Sequence, residues 1–351
     1  MAERVLIMAG GTGGHVFPAL AVANHLREAG CRLSWLGSSG GIEESLVPNA
    51  DIRLYLIQVS GLRGKGMAAK LTAPWRLLRA IWQANRVFSR ANPSIVVGFG
   101  GFASGPGGLI AWLRRRRLII HEQNAVAGTT NRILRRFADR VLEAFPGSLS
   151  GAELVGNPVR PSVEAIAAPP QRLAGRQGAF HVLVLGGSQG ARFLNQTVPQ
   201  ALKESGAELE IRHQCGNRWL EETRQSYQEV GLTATVERFV EDMAAAYGWA
   251  DLVICRAGAM TVAELAAAGV ASVLIPFPFA VDDHQSANAT WLVNAGAARV
   301  VDESAATADT LAALVAELLD RDRLLVMAGA ARARAMPASA LRIADICRGI
   351  I

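Results

Sequence analysis

Between Ile52 and His121 the chain has no acidic residue, although 12 Lys and Arg fall within those 70 positions. A stretch that long without carboxylates is not what a soluble surface ordinarily offers. The N-terminal half is therefore expected to meet something anionic: phospholipid, nucleic acid or a phosphorylated substrate. Residues 1–160 hold 20 Lys/Arg and 9 Asp/Glu, or +11, and the remainder holds 16 and 21, or −5, which together give the chain's +6. Paired cysteines are missing too. Cys31, Cys215, Cys255 and Cys347 are scattered with no CxxC, so they read as buried thiols in a reducing compartment and not as a disulfide frame or zinc site. No secretory signal is visible, because Glu3 and Arg4 lead straight into a short apolar run. The uncharged runs Ala91–Leu113, with six Gly and two Pro, and Leu265–Val281, with Pro276 and Pro278, are too punctuated for membrane spans. No GK[ST] closes a glycine loop, which excludes Walker A. The dinucleotide fingerprint fits only at Gly11 and Gly13; its third position is Val16, and no acid follows the strand ending Leu36-Gly37.

What is present is a repeated grammar. The run RVLIM is followed by AGGTGGH and an apolar-periodic stretch from Pro18 to Ala29; near residue 181, HVLVL is followed by GGSQGAR and another helical pattern. Each half continues with alternating apolar runs and helical patterns, as parallel sheets covered by helices require. The expected fold is α/β: two Rossmann-like, doubly wound domains facing a central cleft. Residues 1–160 form the first and 161–337 the second, with Ala165–Gly178 as linker and a last helix, 338–351, returning to the first. Glycine loops between strand and helix let backbone N–H groups approach a phosphate; tight turns without a ligand are the alternative. A third loop, GFGGFASGPGG (Gly98–Gly108), is expected to close over the same pocket.

Two further segments carry alternatives. In RAGAMTVAELAAAG (Arg256–Gly269), Thr261 and Glu264 have capping-box spacing, which on this segment alone is preferred to a Glu264 that binds both hydroxyls of a ribose. In Lys70–Arg90, Leu78, Ile81, Trp82 and Phe88 recur at helical spacing beside Arg76, Arg79, Arg86 and Arg90. One apolar stripe must cover the core, but Trp75, Trp82 and the missing carboxylates favour an interfacial surface on anionic lipid.

The segments GGTGGHVFPALAVA (Gly10–Ala23), SGLRGKG (Ser60–Gly66), HEQNAVAGTTNR (His121–Arg132), GNPVR (Gly156–Arg160), GGSQGAR (Gly186–Arg192) and RAGAMTVAELAAAG follow one another over nearly the whole chain. Together they resemble the MurG family, bacterial transferases that add N-acetylglucosamine to the lipid-linked muramyl-pentapeptide precursor of peptidoglycan. The resemblance implies the GT-B architecture and inverting transfer from UDP-N-acetylglucosamine to the undecaprenyl-diphosphate-linked muramyl pentapeptide. It implies neither cofactor nor metal; no DxD motif is evident, since Asp282 and Asp283 are adjacent. Carried over by position, Ser188 would bind a donor phosphate and the Val240 backbone the uracil edge. Ala259, Met260, Thr261, Val262, Ala263 and Glu264 would line phosphate and ribose, and Gln285 would contact sugar hydroxyls. Thr12, Gly13, Gly14 and Asn124 would touch the transferred sugar, with Arg160 approaching from the domain junction. His15 is the candidate base; a diphosphate contact is its other reading, while His121 and Glu122 are expected behind it and His284 near the sugar. The resemblance places the protein peripherally on the cytoplasmic face of the inner membrane, among other cell-wall synthesis proteins, in a pathway on which cell shape and division depend. The chain departs from the family at Arg114–Arg117, where a Gly-Ile/Val-Pro turn is usual, and at Ala271, where Pro is common. A UDP-sugar epimerase would share the architecture without needing a lipid acceptor. A nucleic-acid-binding protein is prompted by pI ≈ 9.6 and Arg114–Arg117 but has no recognition motif or interleaved aromatics, so no nucleic-acid partner is expected.

Overall fold

The computed structural model describes residues 3–59, 72–187 and 190–349; SGLRGKG and Ser188 lie outside the described residues. The chain divides into two compact units, Met1–Pro158 with Ala338–Ile351, and Val159–Pro337. In the first, β1 (Arg4–Met8), β2 (Arg32–Ser38), β3 (Arg53–Ile57), β4 (Ile95–Gly98), β5 (Arg117–Glu122), β6 (Arg140–Glu143) and β7 (Glu153–Leu154) form one sheet in the order β3-β2-β1-β4-β5-β6-β7. Every pairing is parallel. In the second, β8 (Phe180–Leu185), β9 (Leu209–Gln214), β10 (Thr235–Glu237), β11 (Leu252–Cys255), β12 (Ala271–Leu274) and β13 (Ala298–Val300) run parallel in the order β10-β9-β8-β11-β12-β13. The central strands IVVG, LVIC and ASVL are buried along their whole length. Continuous apolar strands of this kind belong to parallel sheets with both faces covered. In both sheets the order reverses beside the first strand, between β1 and β4 and between β8 and β11. Ligands of open α/β sheets bind at the carboxyl ends of strands at such a switch point.

The helix Ser339–Arg348 belongs to the first unit. Ile343, Ala344, Ile346 and Cys347 are buried in one cluster with Val5, Ile7, Val16 and Val22. The Arg117 guanidinium donates to the carbonyls of Ile346 at 3.0 Å and Cys347 at 3.2 Å, closing the negative end of that helix. The Arg114–Arg117 turn is made with Arg115 at φ +51°, the left-handed conformation glycine would take more easily.

One expectation is corrected. Ala165–Gly178 is not a free linker, because its two arginines dock it on the second unit. Arg172 donates to the carbonyls of Ala250 and Gly269, both at 2.7 Å. Arg176 pairs with the buried Asp251 at 2.6 Å and donates to the carbonyls of Gly248 and Trp249. Asp251 also takes Arg321 at 2.6 Å and the His181 amide at 2.9 Å, so its carboxylate is met on both oxygens. Among the described residues no helix is long and apolar enough to cross a membrane.

Candidate functional site

In the first unit, three loops meet at the carboxyl ends of β1, β4 and β5. The loop after β1 turns at Gly11 (φ +92°) into the helix Gly13–Glu28, which Thr12 precedes in an extended conformation. The loop after β4 lies directly against it: a Cβ on Gly101 would sit 2.5 Å from the Gly10 carbonyl oxygen, and one on Gly100 3.1 Å from His15 Cε1. Both have φ near +80 to +90°, so side chains are excluded on two grounds. Buried carboxylates hold these loops. Glu43 Oε1 accepts the Ser38 amide (2.8 Å) and hydroxyl (2.9 Å), and Oε2 the Gly11 amide (3.0 Å). Glu122 accepts the amides of Asn124 (3.0 Å) and Gly128 (3.1 Å) and Asn131 Nδ2 (2.9 Å). Thr12 and Gly14 are exposed, and Gly13, His15 and Asn124 half-buried, around this junction. His15 Nδ1 lies 2.9 Å from Gln123 Oε1; Gln123 Nε2 lies 2.9 Å from His121 Nδ1, and His121 Nε2 2.9 Å from the Gly156 carbonyl oxygen. Burial holds the His121 imidazole down to about 4. His121 and Glu122, the last residues of β5, thus stand behind His15 and Asn124. Gln123 and Glu43 were not singled out from the sequence: Gln123 meets His15, 108 positions away, and Glu43 meets Gly11, 32 positions away.

In the second unit, the helix Ala259–Ala268 begins just after β11, with Gly258 at its N-cap and no side chain closing it. The capping-box reading is therefore overturned. Thr261 is already inside the helix, and Glu264 lies a turn too far on to reach its first amide. Glu264 is instead 7% exposed. It accepts the Tyr247 hydroxyl at 3.1 Å and has Arg160 Nε 3.5 Å away. Burial raises its carboxyl above the usual range, with Arg160 and the Tyr247 hydroxyl pulling the other way. No local pattern betrays Tyr247, 17 positions upstream on the helix Met243–Trp249. Val262 is fully buried on that helix, its amide bonded to the Gly258 carbonyl at 2.9 Å. Met260, Thr261 and Ala263 are half-buried along the same helix, and Ala259 is buried at its first position. Gln285 and His284 open the helix His284–Val293, and Gln285 Oε1 accepts the Phe277 amide at 2.9 Å. Asn288 Nδ2 donates to the Ala257 carbonyl at 3.2 Å, tying that helix to the loop after β11. Val240 is half-buried between β10 and the helix that Asp242 caps.

The helix Ala73–Ala91 carries two apolar stripes. Ala80, Ala84, Val87 and Phe88 face the core, so Phe88 is not part of an outer surface. Trp75, Leu78 and Trp82, 76%, 57% and 56% exposed, form a second stripe. Arg76, Arg79, Arg86 and Arg90 are exposed beside it, with the Arg86 guanidinium 4.8 Å from the Trp82 ring centre.

Residues 5–143 match the family model described as glycosyltransferase family 28 N-terminal domain, and residues 181–342 the C-terminal domain of that family. A protein of Marinobacter nauticus is 54% identical over 351 residues, covering 98% of this chain and 97% of its own length. One of Chromohalobacter salexigens is 57% identical over 338 residues, covering 95% and 93%. Both are named UDP-N-acetylglucosamine–N-acetylmuramyl-(pentapeptide) pyrophosphoryl-undecaprenol N-acetylglucosamine transferase. The chain belongs to this family, MurG. The crystal structure of Acinetobacter baumannii MurG superposes with a TM-score of 0.89 at 42% identity, covering 99% of each chain. The two parallel-sheet units are accordingly the Rossmann-like domains of the GT-B fold, and the protein is a glycosyltransferase.

Each unit holds a buried neutral histidine, His121 in the first and His213 in the second, whose effect on stability is measurable. His213 bridges Tyr227 Oη (2.9 Å) and Asn195 Oδ1 (3.0 Å) in the core of the second unit, where burial holds it down to about 3. Its unfolded value is 6.5, so as pH falls the unfolded chain takes up the proton first. Stability from this group is complete above about pH 6.5 and declines as pH drops towards its folded value; His121 acts in the same sense. Urea unfolding from pH 7 to 4 should show falling stability, and His213→Gln should flatten that slope. An equal slope in the variant would contradict the assignment.

Proposed function

We propose that the chain moves N-acetylglucosamine from UDP-N-acetylglucosamine to the undecaprenyl-diphosphate-linked muramyl pentapeptide, the lipid I to lipid II step of peptidoglycan synthesis, with inversion at the anomeric carbon. The observation that carries the donor half is Glu264. A carboxylate has about four lone-pair positions. Glu264 uses one on a phenol and keeps the rest beside Arg160, more than a turn into a helix whose N-terminus follows β11, which suits a ribose whose diphosphate meets that N-terminus. On this reading Ala259, Met260, Thr261, Val262 and Ala263 line phosphate and ribose. Val240 meets the uracil through its backbone, Ser188 a phosphate, Gln285 the sugar hydroxyls and Arg160 the sugar. Thr12, Gly13, Gly14 and Asn124 touch the transferred sugar from the first unit. His15 is the base: the acceptor O–H bond breaks towards the imidazole, the oxygen bonds the anomeric carbon, and the carbon–oxygen bond to the diphosphate breaks with its electron pair leaving on UDP. Helix amides and arginine stabilise that leaving charge without a metal. Incubation with radiolabelled UDP-N-acetylglucosamine and a short-chain lipid-linked muramyl pentapeptide should place label in the lipid and release UDP only when acceptor is added. Epimerised sugar with no labelled lipid would contradict the proposal.

The same reading places the protein peripherally on the cytoplasmic face of the bacterial inner membrane, alongside other cell-wall synthesis proteins, with Trp75, Leu78 and Trp82 entering an anionic lipid surface. Each Lys or Arg near such a surface contributes about 1 kcal/mol, so the four arginines of this helix give reversible attachment. The protein should sediment with anionic vesicles at low salt and release as salt rises, since exposed charges are screened over about 8–10 Å near physiological ionic strength. Trp82→Ser combined with Arg79→Glu should weaken sedimentation and leave UDP affinity unchanged. Equal sedimentation with neutral vesicles at every salt concentration would contradict an electrostatic surface.

A further inference from the structure

We propose that Gln123 is a positioning residue that holds His15 in the tautomer protonated on Nδ1, leaving Nε2 as the lone pair that takes the acceptor proton. The inference rests on the reading of His15 as base, and its logic starts from the far end of the chain of hydrogen bonds. The Gly156 carbonyl oxygen can only accept, so His121 Nε2, 2.9 Å away, carries a hydrogen. The buried His121 ring is neutral at physiological pH, its burial holding it down to about 4, so His121 Nδ1 is a lone pair. Gln123 Nε2 lies 2.9 Å from that lone pair and 3.0 Å from the His121 carbonyl oxygen. Two acceptors on the same side demand the amide nitrogen there, which removes the usual ambiguity of a glutamine amide. The amide oxygen therefore faces His15 Nδ1 at 2.9 Å, and since it can only accept, His15 Nδ1 carries the hydrogen.

The remaining lone pair of His15 is Nε2, which has no partner among the described residues. The arrangement has little freedom to rearrange. Gln123 is 1% exposed, and its carbonyl takes Asn157 Nδ2 at 3.0 Å. Asn131 Nδ2 shares the His121 carbonyl at 3.1 Å. Gly100 leaves just enough room for the His15 ring edge. A solvated histidine favours the opposite tautomer, with hydrogen on Nε2, which would present an N–H to the acceptor hydroxyl and could not deprotonate it. Gln123 thus decides whether the ring meets the hydroxyl as base or as donor. Once Nε2 is protonated, the Nδ1–H to Gln123 Oε1 bond persists and steadies the imidazolium. The chain ends on a neutral carbonyl, so the proton leaves from Nε2 to solvent and is not relayed inward.

The direct test is long-range 1H–15N correlation of the histidine rings in the intact protein at a pH where His15 is neutral, with His15→Ala identifying the signals. The proposal requires a protonated Nδ1 and an unprotonated Nε2. An Nε2-protonated His15 overturns it without recourse to any Gln123 variant. Gln123→Met, similar in length but without the amide, should shift His15 towards the other tautomer. It should also lower kcat about tenfold or more, since a positioned base contributes roughly 10²–10⁴-fold, while the KM for UDP-N-acetylglucosamine stays as in the parent. A folded Gln123→Met that keeps kcat while His15→Ala loses it also overturns the positioning role and leaves the base assignment standing. If His15→Ala itself keeps kcat, the base assignment falls, and the ring spectrum still decides the tautomer.

Discussion

Backbone amides that leave the carboxyl end of a parallel strand have no further ladder partner, and if buried they must find another acceptor. In the first unit of this protein that acceptor is repeatedly a buried carboxylate. Glu43 gathers Ser38 and Gly11, Glu122 gathers Asn124 and Gly128, and Glu143 gathers Gly147 and Leu149. Each oxygen is committed to the loops, so the charge is met by amides and the loops are stiffened around it. Removing one such group would leave several buried donors unpaired, at about 1–3 kcal/mol each. The loops that surround His15 therefore have their shape before any substrate arrives, as electrostatic catalysis requires.

Glu264 is the exception in the second unit. It is buried as the others are, but among the described residues no backbone amide reaches it; only the Tyr247 hydroxyl and the more distant Arg160 do. Burial raises its carboxyl above the usual range, with Arg160 and the Tyr247 hydroxyl pulling the other way. Elsewhere in the second unit polar side chains are tied to partners: Asn288 to Ala257, Gln285 to Phe277, and Arg256 to Glu303 and the carbonyls of Ile275 and Pro276. A buried carboxylate with unused lone pairs needs a physical explanation, and the donor-binding role proposed above supplies one.

Much of the fold was legible because its signals are local. Glycine loops after apolar runs, the wholly apolar IVVG and LVIC, and the helical patterns between them spell out two parallel sheets without long-range information. The errors came where distant partners decide. Thr261 and Glu264 have capping-box spacing, but β11 ends at Cys255 and Gly258 starts the helix too early for it. Ala165–Gly178 has a linker's composition, yet Arg172 and Arg176 find carbonyls and Asp251 more than 70 positions away. Gln123 sat unremarked inside HEQN because its meaning lies in His15, 108 positions upstream. Phe88 shared a helical spacing with Trp82, and only packing shows that one faces the core and the other solvent.

The central claim is that Glu264 is a donor-binding carboxylate and not a support for its helix. Calorimetric titration of UDP into the parent protein and Glu264→Ala, with melting temperatures of both, tests it most directly. A lost hydrogen bond to a charged group costs about 1.5–3 kcal/mol, so the UDP Kd should weaken roughly 10- to 150-fold. The melting temperature should move little, because the Tyr247 hydroxyl loses its acceptor while a buried, poorly paired carboxyl is removed. An unchanged Kd with a sharply lower melting temperature would contradict the account.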